Sequence, residues 1–403
     1  MPTRGRACAW IAAVVLLAPY MAAGQDRTER EIVELIVRDG LQARAIRAES
    51  EVTHREQLAR LSNPNPSVTY SREGAGFTEF FQAEQSLSLF GARDALSRAG
   101  VAATAAAEAD RDLRLWLLRS DAAAAAARVV AGQARLDAAR AQLREVERLV
   151  EVLRTREREG EGSRFDRLRA EQELRDTGQI IASATVALTE ARVTLAGMLP
   201  PDAPLSSVAG APIAQQPPAA VETLLTRAKT TRAELRALQY LDQRATFEAD
   251  AARRSRFPSP TLFGGVKRAD DVYGRETGGV FGVSVTLPLF DSGGREAARW
   301  DAERTRVEAE RASIESRIRS EIAGASEVLG VRQAALSQDQ QGAADELAQI
   351  AEVAYREGEV GILELLDAVR TASRARIRSI DLRLDARLAQ IALERAVGDV
   401  LWP

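Results

Sequence analysis

The amino-acid sequence contains one internal duplication. The segment Arg158-Glu159-Gly160-Glu161 is matched by Arg356-Glu357-Gly358-Glu359, about 198 residues further on. A second pair, Leu87-Ser88-Leu89-Phe90-Gly91 and Leu287-Pro288-Leu289-Phe290-Asp291, lies in the same order at an offset of about 200 residues. Two ordered matches indicate a repeat, and two copies are too few for a solenoid. The chain is therefore predicted to be a fused, pseudo-symmetric pair of units.

Each unit combines long helical patterns with two short strand patterns. In the first unit, apolar residues recur at helical spacing from Glu29 to Leu61, and an alanine-rich helical pattern runs from Gly91 to about Arg158. The second unit shows the same order of elements. The predicted fold is mainly α-helical with a small β part, in which duplicated long-helix coiled-coil hairpins accompany four strands. The strands are predicted at 67–73, 79–90, 261–268 and 278–289.

The N-terminus has the pattern of a secretory signal peptide. Arg4 and Arg6 precede an apolar run of about 12 residues, and small residues follow before Gln25. A membrane-spanning helix needs roughly 20 apolar residues, so this run is too short for an anchor. A proline-rich stretch separates the two repeats. We therefore predict a signal peptide at 1–24, a first repeat at 25–199, a linker at 200–218 and a second repeat at 219–403.

The composition argues against most enzyme chemistry. His54 and Cys8 are the only histidine and the only cysteine in the chain. Most histidine-based catalytic triads, His/Cys zinc sites and disulfides within one chain are thereby excluded. The formal net charge is -3, so the chain has no overall positive charge that would attract nucleic acid. The sequence predicts no enzyme activity, no cofactor and no metal site.

The fourth predicted strand alternates between two kinds of side chain. Phe281, Val283 and Val285 fall on one face, and Gly282 and Ser284 fall on the other. The second predicted strand alternates more weakly. Such alternation fits a barrel wall with one face toward lipid, but it also fits a soluble sheet packed on helices, and the strands alone leave both open. The predicted lipid-facing positions are Phe81, Leu87, Leu89, Phe281, Val283, Val285 and Leu287.

Four strands cannot close a barrel, for which about eight is the practical minimum. Open edges in lipid would leave backbone groups unpaired, so a membrane location requires an oligomer. A dimer would supply eight strands and a trimer twelve, and the wider barrel leaves an open channel. The helical pattern from Gly91 to Arg158 would form a rod of roughly 100 Å, against a hydrocarbon thickness of about 30 Å. It must therefore project away from any bilayer.

The ordered set of these features resembles the TolC-type outer-membrane efflux proteins. It includes Leu61-Ser62-Asn63-Pro64 before the first strand, the segment from Val283 to Asp291, and Arg356-Glu357-Gly358-Glu359-Val360-Gly361 at the second helical turn. The resemblance covers essentially the whole mature chain. It implies a homotrimer in the outer membrane, with a twelve-stranded β-barrel continued by a periplasmic α-helical tunnel. It also implies the passive, gated exit duct of a tripartite efflux pump or a type I secretion system, with a periplasmic adaptor and an inner-membrane transporter as partners.

The resemblance further implies two functional regions near the helical turns. Aligning on Val360-Gly361 places Asp367 at the first of the acids that narrow the tunnel mouth in this family, while Arg370 occupies the second acid's position. Gly358 and Leu363 stand where the family's latch residues would be and cannot form those polar links. From the residues alone, the turns are equally well explained as solvated loops. The resemblance implies that they contact the adaptor, through Glu159, Gly160, Glu161, Gly162, Glu357, Gly358, Glu359, Val360 and Gly361.

A secreted periplasmic coiled-coil scaffold or adaptor-like structural protein is the alternative. In that case the strands would form small soluble sheets. This alternative does not explain why strand hairpins interrupt the helices at matching places in both repeats. The exported cargo, whether a drug, a metal ion or a polypeptide, has no signature in the sequence.

Overall fold

The computed structural model describes residues 27–74, 78–204, 207–271 and 274–402. The predicted signal peptide lies outside the described residues. The first half of the chain runs strand, two helices, two strands and two long helices. These elements are β1 (Arg27–Thr28), α1 (Glu29–Asp39), α2 (Leu41–Arg60), β2 (Ser67–Glu73), β3 (Thr78–Ser86), α3 (Ala92–Arg158) and α4 (Arg164–Ala196).

The second half repeats that order with one additional helix. Long helices again flank a pair of strands, so the mainly α-helical, duplicated fold expected from the sequence is confirmed. The elements are β4 (Val208–Ala209), α5 (Val221–Thr231), α6 (Ala233–Arg254), β5 (Ser259–Asp271), β6 (Gly274–Thr286), α7 (Gly294–Ser337), α8 (Gln341–Arg356) and α9 (Ile362–Val397).

Three helices predicted as continuous are broken. The first breaks at Gly40, where the backbone is extended and a Cβ would lie 2.4 Å from the Ile36 carbonyl oxygen. The equivalent helix of the second repeat breaks at Arg232, which is also extended. The helix of the second repeat that corresponds to the pattern from Gly91 to about Arg158 breaks at 338–340, between α7 and α8. The first two breaks lie against distant parts of the chain: a Cβ at Gly40 would lie 3.1 Å from the Met198 carbonyl oxygen, and Arg232 contacts the end of α9.

The four long strands form one antiparallel sheet in the order β2-β3-β5-β6. β2 has the predicted bounds, β5 extends beyond its predicted bounds at both ends, and β6 begins four residues earlier than predicted. β3 and β6 end at Ser86 and Thr286, so the predictions that placed Leu87, Leu89 and Leu287 within strands were wrong. β3 ends opposite Thr261 and β6 ends opposite Ser259, next to two prolines at the start of β5, Pro258 just before the strand and Pro260 within it, which have no amide hydrogen to donate to a ladder.

The region predicted as a proline-rich linker is held against the helices. Its strand β4 pairs in parallel with β1. Gln333 donates its side-chain amide to the carbonyl oxygens of Ala214 (2.7 Å) and Gln216 (3.0 Å). The Ala211 amide donates to the buried Glu29 carboxylate, which also accepts hydrogen bonds from Arg387. The linker therefore crosses the helical region and is fixed to it by these hydrogen bonds.

Small side chains line the closest helix contacts. Ala99, Ala106, Ala122 and Ala126 of α3 are buried, and a Cβ at Gly132 would lie 3.3 Å from Leu188 on α4. Such residues let helix axes approach closely while costing little side-chain entropy. Of the helices in the described ranges, none is both long enough and apolar enough to cross a lipid bilayer.

The break at Arg232 is stabilised by a buried guanidinium group. Arg232 is only 6% exposed, and it donates to the carbonyl oxygens of Arg395 (3.1 Å) and Ala396 (3.2 Å) at the end of α9. Its other terminal nitrogen donates to the carboxylates of Glu234 (3.0 Å) and Glu321 (3.3 Å). One side chain thus ties α6, α7 and α9 together.

Replacing Arg232 by alanine should lower the stability of the folded chain by about 2 to 4 kcal/mol. The substitution removes hydrogen bonds between a charged group and buried acceptors, which leaves those acceptors unpaired. Arg236, one turn further on α6, is exposed and lies 3.5 Å from Asp112. Arg236→Ala should change stability by less than about 1 kcal/mol. Equal shifts in the thermal unfolding midpoints of the two variants would contradict the role given to Arg232.

Candidate functional sites

The two helical turns that carry the repeated Arg-Glu-Gly-Glu motif lie side by side. The Arg156 guanidinium group at the end of α3 sits 5.7 Å from the ring centroid of Tyr355 at the end of α8. A cleft between the turns is lined by residues from both, including Glu161, Val360 and Gly361. The structure therefore brings together the two segments that the sequence analysis selected.

Both turns have the same backbone geometry. Gly160 and Gly358 have φ values of 81° and 82°, in the left-handed region. The amide of Glu161 donates to the Arg156 carbonyl oxygen (2.9 Å), and the amide of Glu359 donates to the Ala354 carbonyl oxygen (2.8 Å). These bonds, which pair an amide with a carbonyl five residues earlier, form a Schellman motif that ends each helix sharply. The repeated glycine is thus required by the turn.

The turns also expose two large apolar side chains, at the ends of the segments 158–165 and 356–363. Phe165 is 61% exposed and Leu363 is 50% exposed. They occupy equivalent positions in the two repeats, 198 residues apart. The selected residues around them are exposed, except for Gly162 and Val360, which are half-buried.

Arg370 and Asp367 occupy different environments on α9. Arg370 donates through Nε to the Glu173 carboxylate on α4 (2.6 Å), and Glu173 is almost fully buried. The hydrogen bond to Glu173 raises the pKa of Arg370 above its ordinary value. Asp367 is exposed and has no hydrogen bond or ion pair within the described part of the chain. The sequence analysis missed Glu173, which lies 197 residues before its partner.

Further ion pairs, besides that of Arg370 with Glu173, connect the helices in this region. Arg376 on α9 reaches Asp345 on α8 (2.8 Å) and Glu145 on α3 (3.3 Å). Within the first hairpin, hydrogen bonds from Arg167 and then Arg154 hold the pKa of Glu171 below its ordinary value. The two helical hairpins are therefore joined near their turns by ion pairs as well as by apolar packing.

The sheet has one apolar face, and that face is exposed in the single chain. Cross-strand pairs place Tyr70 beside Phe81 and Phe81 beside Val266, while Leu262 lies beside Val283. Phe281 is 89% exposed. The predicted residues Phe81, Phe281, Val283 and Val285 lie on this face. The sequence analysis missed Val68, Tyr70, Leu262 and Val266, which share it.

The opposite face is more polar. It carries Gln82 and Ser284, and the Lys267 ammonium lies 5.5 Å from the ring centroid of Phe80. Gly282 leaves space there for the ring of Phe263, since a Cβ would lie 2.4 Å from that ring. Leu87, Leu89 and Leu287 follow the strands, and Leu89 and Leu287 are largely exposed. The sheet can therefore face an apolar medium on one side and a polar one on the other.

Within the described residues, no group of three or more histidine, cysteine, aspartate or glutamate side chains is arranged to hold a metal ion. His54, the single histidine, lies half-buried on α2.

The chain is similar to one sequence family and to several solved channels. Residues 224–399 match the family model described as outer membrane efflux protein. No curated protein sequence matches the chain. A membrane protein from Pseudomonas aeruginosa shares the fold at 20% identity and a TM-score of 0.74, covering 92% of this chain and 93% of its own.

Two further structures show the same fold. The open state of the Neisseria gonorrhoeae MtrE outer membrane channel is 23% identical, with a TM-score of 0.73 over 93% of this chain and 90% of its own. The outer membrane protein VceC from Vibrio cholerae is 19% identical, with a TM-score of 0.71 over 92% and 96%. These similarities establish the fold over nearly the full length of the chain.

Alanine at Gly358 should destabilise the protein by about 1 kcal/mol, because a residue with a Cβ is strained at this positive φ. The added methyl group meets nothing within 4 Å, so the cost is confined to the backbone. Gly178, inside helix α4, provides the control, since its Cβ position is also open. Gly178→Ala should stabilise the helix by about 0.5 to 1 kcal/mol. Unfolding midpoints that move in the same direction would refute the proposed geometry.

Proposed function

We propose that this chain is an outer-membrane efflux duct of the outer membrane efflux protein family, whose model matches residues 224–399, and that three copies of it form the exit channel of a tripartite pump. The channel would be passive and gated, and it would export small molecules through a periplasmic helical tunnel and an outer-membrane barrel. The observation that carries this proposal is the four-stranded sheet, which has an exposed apolar face and two open edges.

The sheet explains why several copies are needed. Among the described strands, β2 pairs only with β3, and β6 pairs only with β5. In hydrocarbon each unpaired backbone group on these edges would cost several kcal/mol. Pairing β2 of one copy with β6 of the next removes both edges, and three copies supply twelve strands. The apolar face would then lie toward lipid and the polar face toward the lumen.

The helices carry matching surfaces for association. Within the described residues, none of the side chains of α8 is buried in the single chain. Large apolar residues are exposed on the helices α4, α7 and α8. These residues are Ile180, Val186 and Val193 on α4, Val328 and Val331 on α7, and Leu347, Ile350 and Val353 on α8. Exposed apolar surface of this extent is typical of an interface between protein chains.

We further propose a gate near the turns. Three copies of Asp367 would face one another around the tunnel axis and favour cations at its mouth. Arg370 and the buried Glu173 connect α4 to α9, so opening the mouth requires this ion pair to break or to move as one unit. The mechanism is steric and electrostatic, and it needs no covalent chemistry.

The partners follow from the same arrangement. The paired turns would contact a periplasmic adaptor, which in turn connects the duct to an inner-membrane transporter. Phe165 and Leu363 are the apolar anchors available for such a contact, because each is exposed beside a sharply closed turn. The signal peptide at 1–24 would direct export, and the repeats at 25–199 and 219–403 would build equal shares of the tunnel, joined by the linker at 200–218.

Substituting Phe281 by arginine should prevent stable assembly in the outer membrane. A charged residue near the middle of a lipid-facing strand costs about 2 to 4 kcal/mol. Ser284→Arg, on the opposite face of the same strand, is the matched control and should assemble normally. The measurement is the native mass and heat sensitivity of detergent-extracted protein from the outer-membrane fraction. A wild-type protein that is soluble without detergent, or that is not a trimer, would favour the coiled-coil scaffold.

Substituting Asp367 by asparagine should reduce the cation preference of the reconstituted channel while leaving its stability unchanged. The side chain is exposed and unpaired in the described chain, so its removal alters charge at the mouth without disturbing packing. Asp202→Asn, in the linker, removes one equally exposed carboxylate elsewhere and should have no effect. Reversal potentials in planar bilayers under a salt gradient provide the readout. An unchanged preference would remove Asp367 from the aperture.

A further inference from the structure

Four helix ends meet at the base of the sheet, and we call this region the junction. α2 and α6 end there, at Arg60 and Arg254, and α3 and α7 begin there. The rings of Phe90 and Phe257 stack with their centroids 5.4 Å apart. Arg254 donates to the Phe90 carbonyl oxygen at 3.3 Å. These contacts fix the positions of the strand ends relative to the helices.

The sheet side of the junction is a belt of exposed apolar residues. It consists largely of the second pair of repeated segments found in the sequence. Phe290 is fully exposed and Leu289 is 78% exposed, although no strand continues through them. Apolar and aromatic side chains at this level are typical of the boundary between hydrocarbon and water. The belt comprises Leu89, Phe90, Phe257, Leu287, Leu289 and Phe290.

Arginine residues without acidic partners lie on the helix side of this belt. Arg256 and Arg295 are exposed, and neither forms an ion pair within the described part of the chain; Arg256 lies only against the Phe257 ring, at 4.9 Å. Arg93 and Arg254 donate to backbone carbonyl oxygens alone.

Three carboxylates of the junction are already paired with arginines. Glu248 pairs with Arg60, and Asp301 pairs with Arg253 at 2.8 Å. Glu296 pairs with Arg299 at 2.6 Å. A fourth carboxylate, Asp291, pairs with no arginine of the described chain. The four remaining arginines therefore outnumber it and leave the junction with net positive charge.

We propose that the junction binds the phosphate headgroups of anionic phospholipids in the periplasmic leaflet of the outer membrane. The proposal rests on the proposed function, since it requires the sheet to span that membrane. Guanidinium groups match phosphate oxygens in charge and geometry. The apolar belt beside them would lie against the acyl chains, so both parts of a phospholipid have a complementary surface. Clusters of basic residues next to a membrane recognise anionic lipids in the same way.

The backbone adds to this charge. The helix α3 begins directly after Gly91, which offers no side chain to cap the first amides. Its N-terminus therefore carries partial positive charge toward the junction, where an anion would be stabilised. At α7 the Asp291 carboxylate already accepts a hydrogen bond from the Gly293 amide (2.9 Å), so this second helix end contributes less. The lipid would thus fix the height of the barrel in the membrane next to the start of α3.

The test compares the purified full-length protein in a nonionic detergent with added phosphatidylglycerol or phosphatidylcholine. Phosphatidylglycerol should raise the thermal midpoint of trimer dissociation clearly more than phosphatidylcholine does, and native mass spectrometry should show it retained on the trimer. The variant Arg256→Gln/Arg295→Gln should lose this preference. Both side chains are exposed and have no structural partner apart from the Phe257 ring, so the variant should fold.

The matched control is Arg140→Gln/Arg148→Gln. These exposed arginines also have no carboxylate partner in the described part of the chain, and they lie about 70 Å or more along α3 from the junction. The control should keep the preference for phosphatidylglycerol. An equal response to both lipids, or a preference that survives in the junction variant, would overturn the proposal.

Two further outcomes identify other causes. If inorganic phosphate alone reproduces the stabilisation, the junction binds free anions and not a lipid. The native mass of the same samples separates this proposal from the function it rests on. A trimer without lipid preference overturns only the lipid site, whereas a protein that is stable as a soluble monomer overturns both.

Discussion

The open edges of the sheet are the constraint on which the rest of the structure depends. Hydrocarbon offers no hydrogen-bonding partner, so β2 and β6 can lie in a membrane only when another chain completes their ladders. That requirement also explains why the apolar face is left bare by the chain's own helices. No described helix covers Phe281, and the long helices instead leave the sheet at one end. In a membrane, a single chain would therefore be an incomplete structural unit.

Local sequence patterns predicted the features that depend on local geometry. The bounds of β2, the length of α3 and the positions of both glycine turns follow from alternation, helical periodicity and the conformational freedom of glycine. The breaks at Gly40 and Arg232 could not be predicted in this way, because these residues lie against parts of the chain that are distant in sequence. The ends of β3 and β6 also differ from the prediction, and both lie opposite the first residues of β5, near Pro258 and Pro260. The apolar face was only half predicted, because the pattern of β2 is largely polar and β5 is interrupted by two glycines.

The candidate sites show the same division. The turns were found because their motif is repeated, and Asp367 was selected through a family resemblance. Glu173 was not found, because nothing in its own surroundings indicates that it is buried against an arginine 197 residues away. The arginines of the junction could not be identified from the sequence either. Their importance depends on which neighbouring carboxylates are already engaged, and only the folded chain determines that.

The break at 338–340 makes the two repeats mechanically unequal. α3 is one unbroken rod of 67 residues, whereas the corresponding part of the second repeat consists of α7 with 44 residues and α8 with 16. A continuous helix resists bending along its whole length, but a joint between two helices concentrates bending at a few residues. In a trimer of the kind proposed above, bending of each chain would therefore be concentrated at the joint between α7 and α8, while α3 stays straight.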